Sequence, residues 1–261
     1  MAIRCVYADL DGTLLGRGAS LFRNAEGGFT LLPARALEAC HRAGAEVVIK
    51  SGRRRAQVME DARLLGQSSY IFEVGTGMSI DDELTWLTGE LQPRDGLTIH
   101  AQIERSGAPA LLLERYAGRL EHHSPWHVER EVSHLFRGRV DTSAANELLT
   151  AEGHGNLRLV DNGGIDPGLR AYHLIPRVSS KAAAVERHML ARGYAREECI
   201  GVGDSGEDVD TAAAVGRFFL VANAGGEARA AAGRFSNVEL TESAMGEGFY
   251  EAVVRALAEA R

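Results

Sequence analysis

The sequence predicts an α/β fold: a doubly wound, mostly parallel sheet interrupted by an inserted α+β unit. Three features predict it. From Ile3 to Val74, apolar runs of strand length alternate with helical patterns in units of about 30 residues, the size of a strand–helix–strand crossover. Polar residues stand at the carboxyl ends of such runs, at Asp9, Ser51 and Asp204, where open parallel sheets gather ligands. From about residue 82 the alternation gives way to helices followed by strands, and it resumes at Lys181.

Length and composition bound the answer. With 261 residues the chain is one large domain or two small ones, with ample material for a core. Hydrophobic residues at 45% and charged residues at 25% are the balance of a soluble globular protein. The formal net charge of −7 argues against a general nucleic-acid binder, which carries a basic excess. Cys5, Cys40 and Cys199 lie in apolar or helical surroundings without metal-ligand spacing and read as buried thiols of a reducing compartment. The N-terminus runs straight into a strand, unlike a signal peptide, and no apolar run approaches membrane-spanning length. A cytoplasmic protein without membrane or nucleic-acid partners is expected.

In chain order, the run from Ile3 to Ala8 is the first strand, ending in Asp9-Leu10-Asp11-Gly12-Thr13. Gly16 to Thr30 lacks periodicity and reads as a loop that can serve as a flap. Pro33 suits a first helical turn, Ala36, Leu37 and Cys40 its apolar face, and Gly44 its stop. Glu46–Lys50 is a strand delivering Ser51-Gly52-Arg53. A helix from Arg54 to Leu65 follows, then a strand over Ser69–Val74, with Met78–Ile80 pairing back as a hairpin. In the insert, Ile99 with Ile103 and Leu111, Leu112 with Tyr116 predict two helices. Glu131–Arg139 reads as a half-buried strand, and Asp141 as the cap of a helix running to Glu152. Leu157–Val160 and Leu169–Ile175 read as strands joined by a turn at Asp161-Asn162-Gly163-Gly164. Lys181 opens a helix whose stripe is Val185, Met189 and Leu190, stopped by Gly193. Cys199–Val202 is a strand, a helix passes through Val209, Ala213 and Val215, Phe218–Val221 is a strand, and the last helix spans Gly248–Ala260.

Two acids at the end of a buried strand are costly unless they hold a cation. With a glycine turn and free backbone N–H groups, Asp9 and Asp11 suit Mg²⁺ and a phosphoryl group; otherwise the stretch is an Asp-Gly turn after a strand. Ser51 and Gly52, before a helix, suit an anion, or Ser51 is a plain N-cap. Lys181 is a cation at the site or a solvated lysine at a helix start.

Taken together, Asp9-x-Asp11-Gly12-Thr13, the strand-ending Ser51, Lys181, and Gly203-Asp204 followed by Asp208 resemble the four motifs of the haloacid dehalogenase superfamily of phosphotransferases. The resemblance covers most of residues 1–80 and 177–260. It implies a Rossmann-like core over residues 1–81 and 177–261 and a type IIB cap over 82–176, as in Cof-like, sucrose-phosphate and mannosyl-3-phosphoglycerate phosphatases. It implies Asp9 as nucleophile and Asp11 as general acid and base, a ranking the residues alone do not supply. It implies Mg²⁺ held by Asp9, Asp11 (through its carbonyl), Asp204 and Asp208, and a phosphoryl group held by Thr13, Ser51, Gly52 and Lys181. The expected activity is Mg²⁺-dependent hydrolysis of a small phosphorylated metabolite, a sugar phosphate or phosphorylated acid. The alternatives are a phosphomutase of the phosphomannomutase type and a non-catalytic sugar-phosphate sensor. Glu207 stands where such relatives often carry Asn, and Val74-Gly75 where they often carry Asn-Gly.

Specificity is expected in the cap. His122, His123, His127, Arg130, His134, Arg137, Arg139 and Arg158 form either a basic surface for a second anionic group or a solvated face. Arg137, and His173 and Arg177 close before Lys181, are the named candidates. Hinges are expected at Gly75–Asp82 and Pro176–Ser180.

Overall fold

The computed structural model describes residues 2–166 and 168–259. From the N-terminus, β1 (Cys5–Ala8) leads through a loop to α1 (Leu32–Ala43), β2 (Glu46–Lys50), α2 (Arg55–Leu64) and β3 (Ser69–Phe72), then to the hairpin of β4 (Gly77–Ile80) and β5 (Glu83–Trp86). Next come α3 (Ile99–Arg105), α4 (Ala108–Arg115), β6 (Leu120–His122), β7 (His134–Gly138), α5 (Thr142–Ala151), β8 (Leu157–Asp166) and β9 (Leu169–Pro176). The chain closes through α6 (Lys181–Arg192), β10 (Cys199–Gly203), α7 (Gly206–Val209), β11 (Arg217–Leu220), α8 (Gly226–Ala232), β12 (Val238–Leu240) and α9 (Met245–Glu259). The expected helix end at Ala260, and Met1 and residues 260–261 of the expected core, lie outside the described residues.

An eight-stranded sheet takes the order β12-β11-β10-β1-β2-β3-β4-β5. Its strands are parallel except the hairpin strands β4 and β5. Alternation along β1 sends Val6 and Ala8 into an apolar layer shared with α1 and α9, and Cys5 and Tyr7 into the opposite layer shared with α6. Helices therefore cover both faces, as right-handed crossovers require. Four antiparallel strands, β6-β7-β9-β8, form a second sheet over its own apolar cluster, in which Phe136, Leu149, Leu159 and Tyr172 are buried. This is the expected α/β core with an α+β cap. The three cysteines are free and buried. No helix among the described residues is long and apolar enough to cross a membrane.

Local chemistry explains most boundaries. Pro33 sits in the first turn of α1, and Gly44 and Gly193 end α1 and α6 in left-handed conformations. Asp141 caps α5 by accepting from Ser143 N and Ala144 N.

The differences from expectation have identifiable causes. Strand β5 extends the large sheet beyond residue 82, so Gly75–Asp82 is part of the hairpin region rather than a linker, and the chain leaves this sheet only after Trp86. Strand β7 is buried on both faces rather than half-buried. The Asp161–Gly164 stretch is not the expected turn. It continues β8 as a bulged strand, with register shifts between Asp161 and Gly164 and between Gly164 and Asp166. Leu190 is 71% exposed, and His188 takes the buried place on α6. The helix after Asp208 is one α-turn followed by a 3₁₀ turn, with Val215 beyond both. Strands β6 and β12 and helix α8 carry too few periodic residues to be read in advance.

A polar network ties the amino-terminal end of β2 to α6. Glu46 accepts from Ser69 Oγ at 2.6 Å and Tyr194 OH at 2.9 Å, and pairs with Arg192 at 3.2 Å and His188 at 3.6 Å. Burial raises the Glu46 carboxyl, but His188, Ser69 and Tyr194 overcome it and hold it at about 2, below its ordinary 4.5. A carboxyl depressed by folding contributes stability above its unfolded value and loses it as pH falls toward the folded one. Glu46→Gln is expected to cost about 2 kcal/mol at pH 7, with the gap to wild type closing between about pH 4.5 and 2. Urea denaturation across that range checks this, and a gap independent of pH would contradict it.

Candidate active site

Strands β10, β1 and β2 run side by side with Cys199, Cys5 and Glu46 in register. The residues just beyond their carboxyl ends, Asp204, Asp9 and Ser51, are therefore neighbours, and all three line one cavity of about 1010 Å³. Gly12 makes the first turn possible. Its φ is +82°, and a Cβ there would stand 2.7 Å from Asp204 Oδ2.

At and beneath the cavity floor, Asp9, Asp204 and Asp208 each bring a carboxylate oxygen within 4.8 Å of the others. Lys181 Nζ bridges Asp9 Oδ1 at 2.8 Å and Asp208 Oδ1 at 2.9 Å. Lys50 Nζ reaches the same Asp208 oxygen. Both lysines are fully buried. Burial, then the charge of Asp208, pushes Asp9 up to about 6 against the pull of the lysines. Burial, then Asp9 and Asp208, raises Asp204 well above the carboxylate range. Burial also acts to raise Asp208, but Lys181 and Lys50 overcome it and hold Asp208 low. Burial opposes the charge on Lys181, yet Asp208 and Asp9 hold it charged.

Three carboxylates thus face two ammonium groups, and the imbalance falls on Asp9 and Asp204. Among the described residues Asp204 receives one side-chain hydrogen bond, from Thr13 Oγ1 at 3.3 Å. An oxygen-rich, under-neutralised pair of this kind fits a Mg²⁺ ion. Asp208 differs. Its Oδ1 takes both lysines, and its Oδ2 takes the N–H and hydroxyl of Ser205. It stands in the cluster with every oxygen engaged by protein donors, so it positions the lysines and the loop.

Asp11 lines the cavity outside this buried cluster. Arg53 grips it with two hydrogen bonds, at 2.8 and 2.6 Å, and also pairs with Asp61 at 2.8 Å. Ser51 is buried and is not a helix cap: α2 starts at Arg55 after Arg54, and Ser51 Oγ accepts from Arg53 N at 3.1 Å. Gly52 lies directly beneath the inserted sheet. A Cβ there would stand 2.4 Å from Asn162 Nδ2 and 3.0 Å from His173 Nε2.

The expected basic surface of the cap resolves into separate contacts. His173 is buried and lines the cavity. Arg137 does not line it; it pairs with Glu121 at 2.7 Å. Arg177 does not reach it either, because its guanidinium bonds Gly155 O and Thr150 Oγ1. Arg130 is buried among Trp126 O, Gly52 O and Ser133 Oγ. Arg158 forks onto Glu207 at 3.0 and 3.1 Å and donates to Ser179 O at 2.8 Å. Glu207 therefore faces β8 of the insert, and Asn at that position could not form this ion pair. Val74 takes a left-handed conformation, φ +59°, which Asn adopts more readily than a β-branched residue. Its side chain buries against Val160 and Ile175.

Lys50, Arg53 and Asn162 were not singled out from the sequence. A lysine ending an otherwise apolar strand beside Ser51 is a signal for Lys50, and Arg53 adjoins Ser51-Gly52. Asn162 was hidden by the turn-like Asn-Gly-Gly.

The chain matches no model of a known protein family. It is similar to a phosphoglycolate phosphatase of Halorubrum lacusprofundi, 31% identical over 225 residues and covering 86% of each chain. Its fold is similar to the sucrose-phosphatase of Synechocystis, solved with sucrose and phosphate: TM-score 0.72, 16% identity, 98% of each chain. It is also similar to a haloacid dehalogenase-like hydrolase of B. subtilis: TM-score 0.63, 18% identity, 97% of this chain and 99% of that one.

Lys50→Met removes one of the two cations from a fully buried carboxylate. It is expected to cost about 3 kcal/mol or more, read by denaturant unfolding. Unchanged stability would show that Lys181 alone neutralises Asp208.

Proposed function

The chain belongs to the haloacid dehalogenase superfamily and is a phosphatase, and on that footing we propose that it hydrolyses a small phosphorylated metabolite with Mg²⁺, through a phosphoryl group carried transiently on Asp9. The observation that carries this reading is the placing of Asp9: a buried carboxylate on the cavity floor, bridged by Lys181 and next to the under-neutralised Asp204.

A phosphate monoester presents a dianion to its attacker, so the site must neutralise charge and align a nucleophile. Lys181, and Ser51 with the Gly52 backbone, hold phosphoryl oxygens, and Thr13 steadies Asp204. Asp9 and Asp204 would hold Mg²⁺ with the Asp11 carbonyl, and when bound the ion offsets the charge of the carboxylates and the phosphoryl group. An Asp9 oxygen forms a bond to phosphorus as the ester P–O bond breaks. The departing alkoxide takes the proton of the Asp11 carboxyl, for which Asp11 must exchange Arg53 for the substrate. Water then attacks the aspartyl-phosphate and gives its proton to the Asp11 carboxylate left by the first step. Inorganic phosphate leaves and Asp9 is regenerated. The cavity is bordered by exposed residues such as Arg17 and Gly18, so it admits water, which favours hydrolysis over phosphoryl return in a mutase.

Two substrate classes remain in view. The Halorubrum relative is named for a phosphorylated acid, and the Synechocystis neighbour holds a sugar with phosphate.

Purified protein is expected to release p-nitrophenol from p-nitrophenyl phosphate with Mg²⁺, to stop with EDTA and to recover on Mg²⁺ addition. Asp9→Asn is expected to lower turnover by at least about a thousandfold with an unchanged circular dichroism spectrum. Full activity in EDTA, or in folded Asp9→Asn, would overturn the reading.

A further inference from the structure

Starting from the phosphatase reading, we infer that His173 Nε2 is a hydrogen-bond acceptor for a hydroxyl group in the organic part of the substrate, so that hydroxyl-bearing esters such as polyol or sugar phosphates are preferred over phosphorylated carboxylic acids.

The assignment follows from one chain of hydrogen bonds. Glu73 is fully buried, and its carboxylate accepts the backbone N–H of Glu131 at 2.9 Å, Val132 at 3.2 Å and Ser133 at 2.6 Å. The Ser133 hydroxyl, 2.8 Å from the Glu73 oxygen that also accepts the N–H groups of Val132 and Ser133, gives its single hydrogen to that oxygen. Ser133 Oγ also accepts from Arg130 Nη1 at 3.0 Å. Nδ1 of His173 lies 3.3 Å from the same oxygen. Ser133 has no hydrogen left for it, so Nδ1 carries the proton and donates. Nε2 is left with its lone pair.

A second proton on the ring is disfavoured. Burial, then the charges of Arg130 and Lys181 and the neighbouring His123, hold the imidazole well below its ordinary range. Nε2 faces Gly52, beside the proposed phosphoryl-binding Ser51, and no hydrogen bond to it is found among the described residues. The Asn162 amide points at the same spot, and its Oδ1 is buried without a partner. A hydroxyl can donate to His173 Nε2 while accepting from Asn162 Nδ2, the donor that faces the same glycine. A carboxylate only accepts and would face the His173 lone pair.

The arginines of the cavity do not offset this. Arg130 is engaged by oxygens of Gly52, Trp126 and Ser133, Arg170 by Asp161 and Glu227, and Arg53 keeps its pair with Asp61 when Asp11 turns to the substrate. That leaves Arg17, exposed on the loop.

The test compares kcat/KM for glycerol 3-phosphate and 2-phosphoglycolate, with p-nitrophenyl phosphate as a reference that bears neither group. Wild type is expected to favour glycerol 3-phosphate by at least about tenfold, the scale of one hydrogen bond. His173→Leu is expected to lower glycerol 3-phosphate hydrolysis about tenfold more than p-nitrophenyl phosphate hydrolysis, and His173→Gln, whose amide oxygen can accept, to recover part of the loss. Preference for 2-phosphoglycolate in wild type, or proportional loss on all three esters in a folded His173→Leu protein, would overturn the inference. Failure of wild type on p-nitrophenyl phosphate itself would instead strike the phosphatase reading.

Discussion

The bridge that Lys181 makes between Asp9 and Asp208 is the interaction on which the site depends. Buried carboxylates repel one another and resist losing water, and such a group persists only where cations meet it. The fold supplies them from separate directions. Lys50 comes from the end of β2 and Lys181 from the first turn of α6, whose Ser180 cap fixes where the helix begins. Parallel register of β10, β1 and β2 brings the acids together, and Gly12 allows the turn to press against Asp204. Two lysines against three acids leave Asp208 satisfied and Asp9 with Asp204 short of positive charge. That imbalance is the physical basis of the divalent-cation and phosphoryl site proposed here.

Polar contacts join the covering sheet to this floor. Glu73, in the turn after β3, accepts the backbone of residues 131–133, Arg55 forks onto Glu131, and Arg158 onto Glu207. Apolar contact is made by Val74 with Val160 and Ile175, and by Trp86, which packs against both the core cluster and that of the insert. Polar joints resemble those between domains that move relative to one another. They suit a cover that must release product, and they place Asn162 and His173 directly above Gly52.

The sequence made the floor legible because its chemistry is local. Asp9, Ser51 and Asp204 each follow a strand and Lys181 opens a helix, with glycine or serine nearby in sequence. The doubly wound core was legible for the same reason, through alternation and caps. Reading failed where tertiary partners decide. Asp161-Asn162-Gly163-Gly164 has the composition of a turn, yet pairing with β9 draws it into a bulged strand. Arg137 and Arg177 carry charge suited to an anion, but each is taken by a neighbour on its own unit. Lys50 looked like a strand residue because nothing local announces Asp208, 158 positions away.

The central claim is that Asp9 carries the phosphoryl group during turnover. The direct measurement is acid quench during steady-state hydrolysis, followed by borohydride trapping and mass spectrometry of the peptide holding Asp9 and Asp11. A trapped adduct on Asp9, absent from the Asp9→Asn protein, is the result the account predicts. Turnover with the adduct on Asp11, or with neither aspartate modified under conditions that trap other acyl-phosphates, would contradict it.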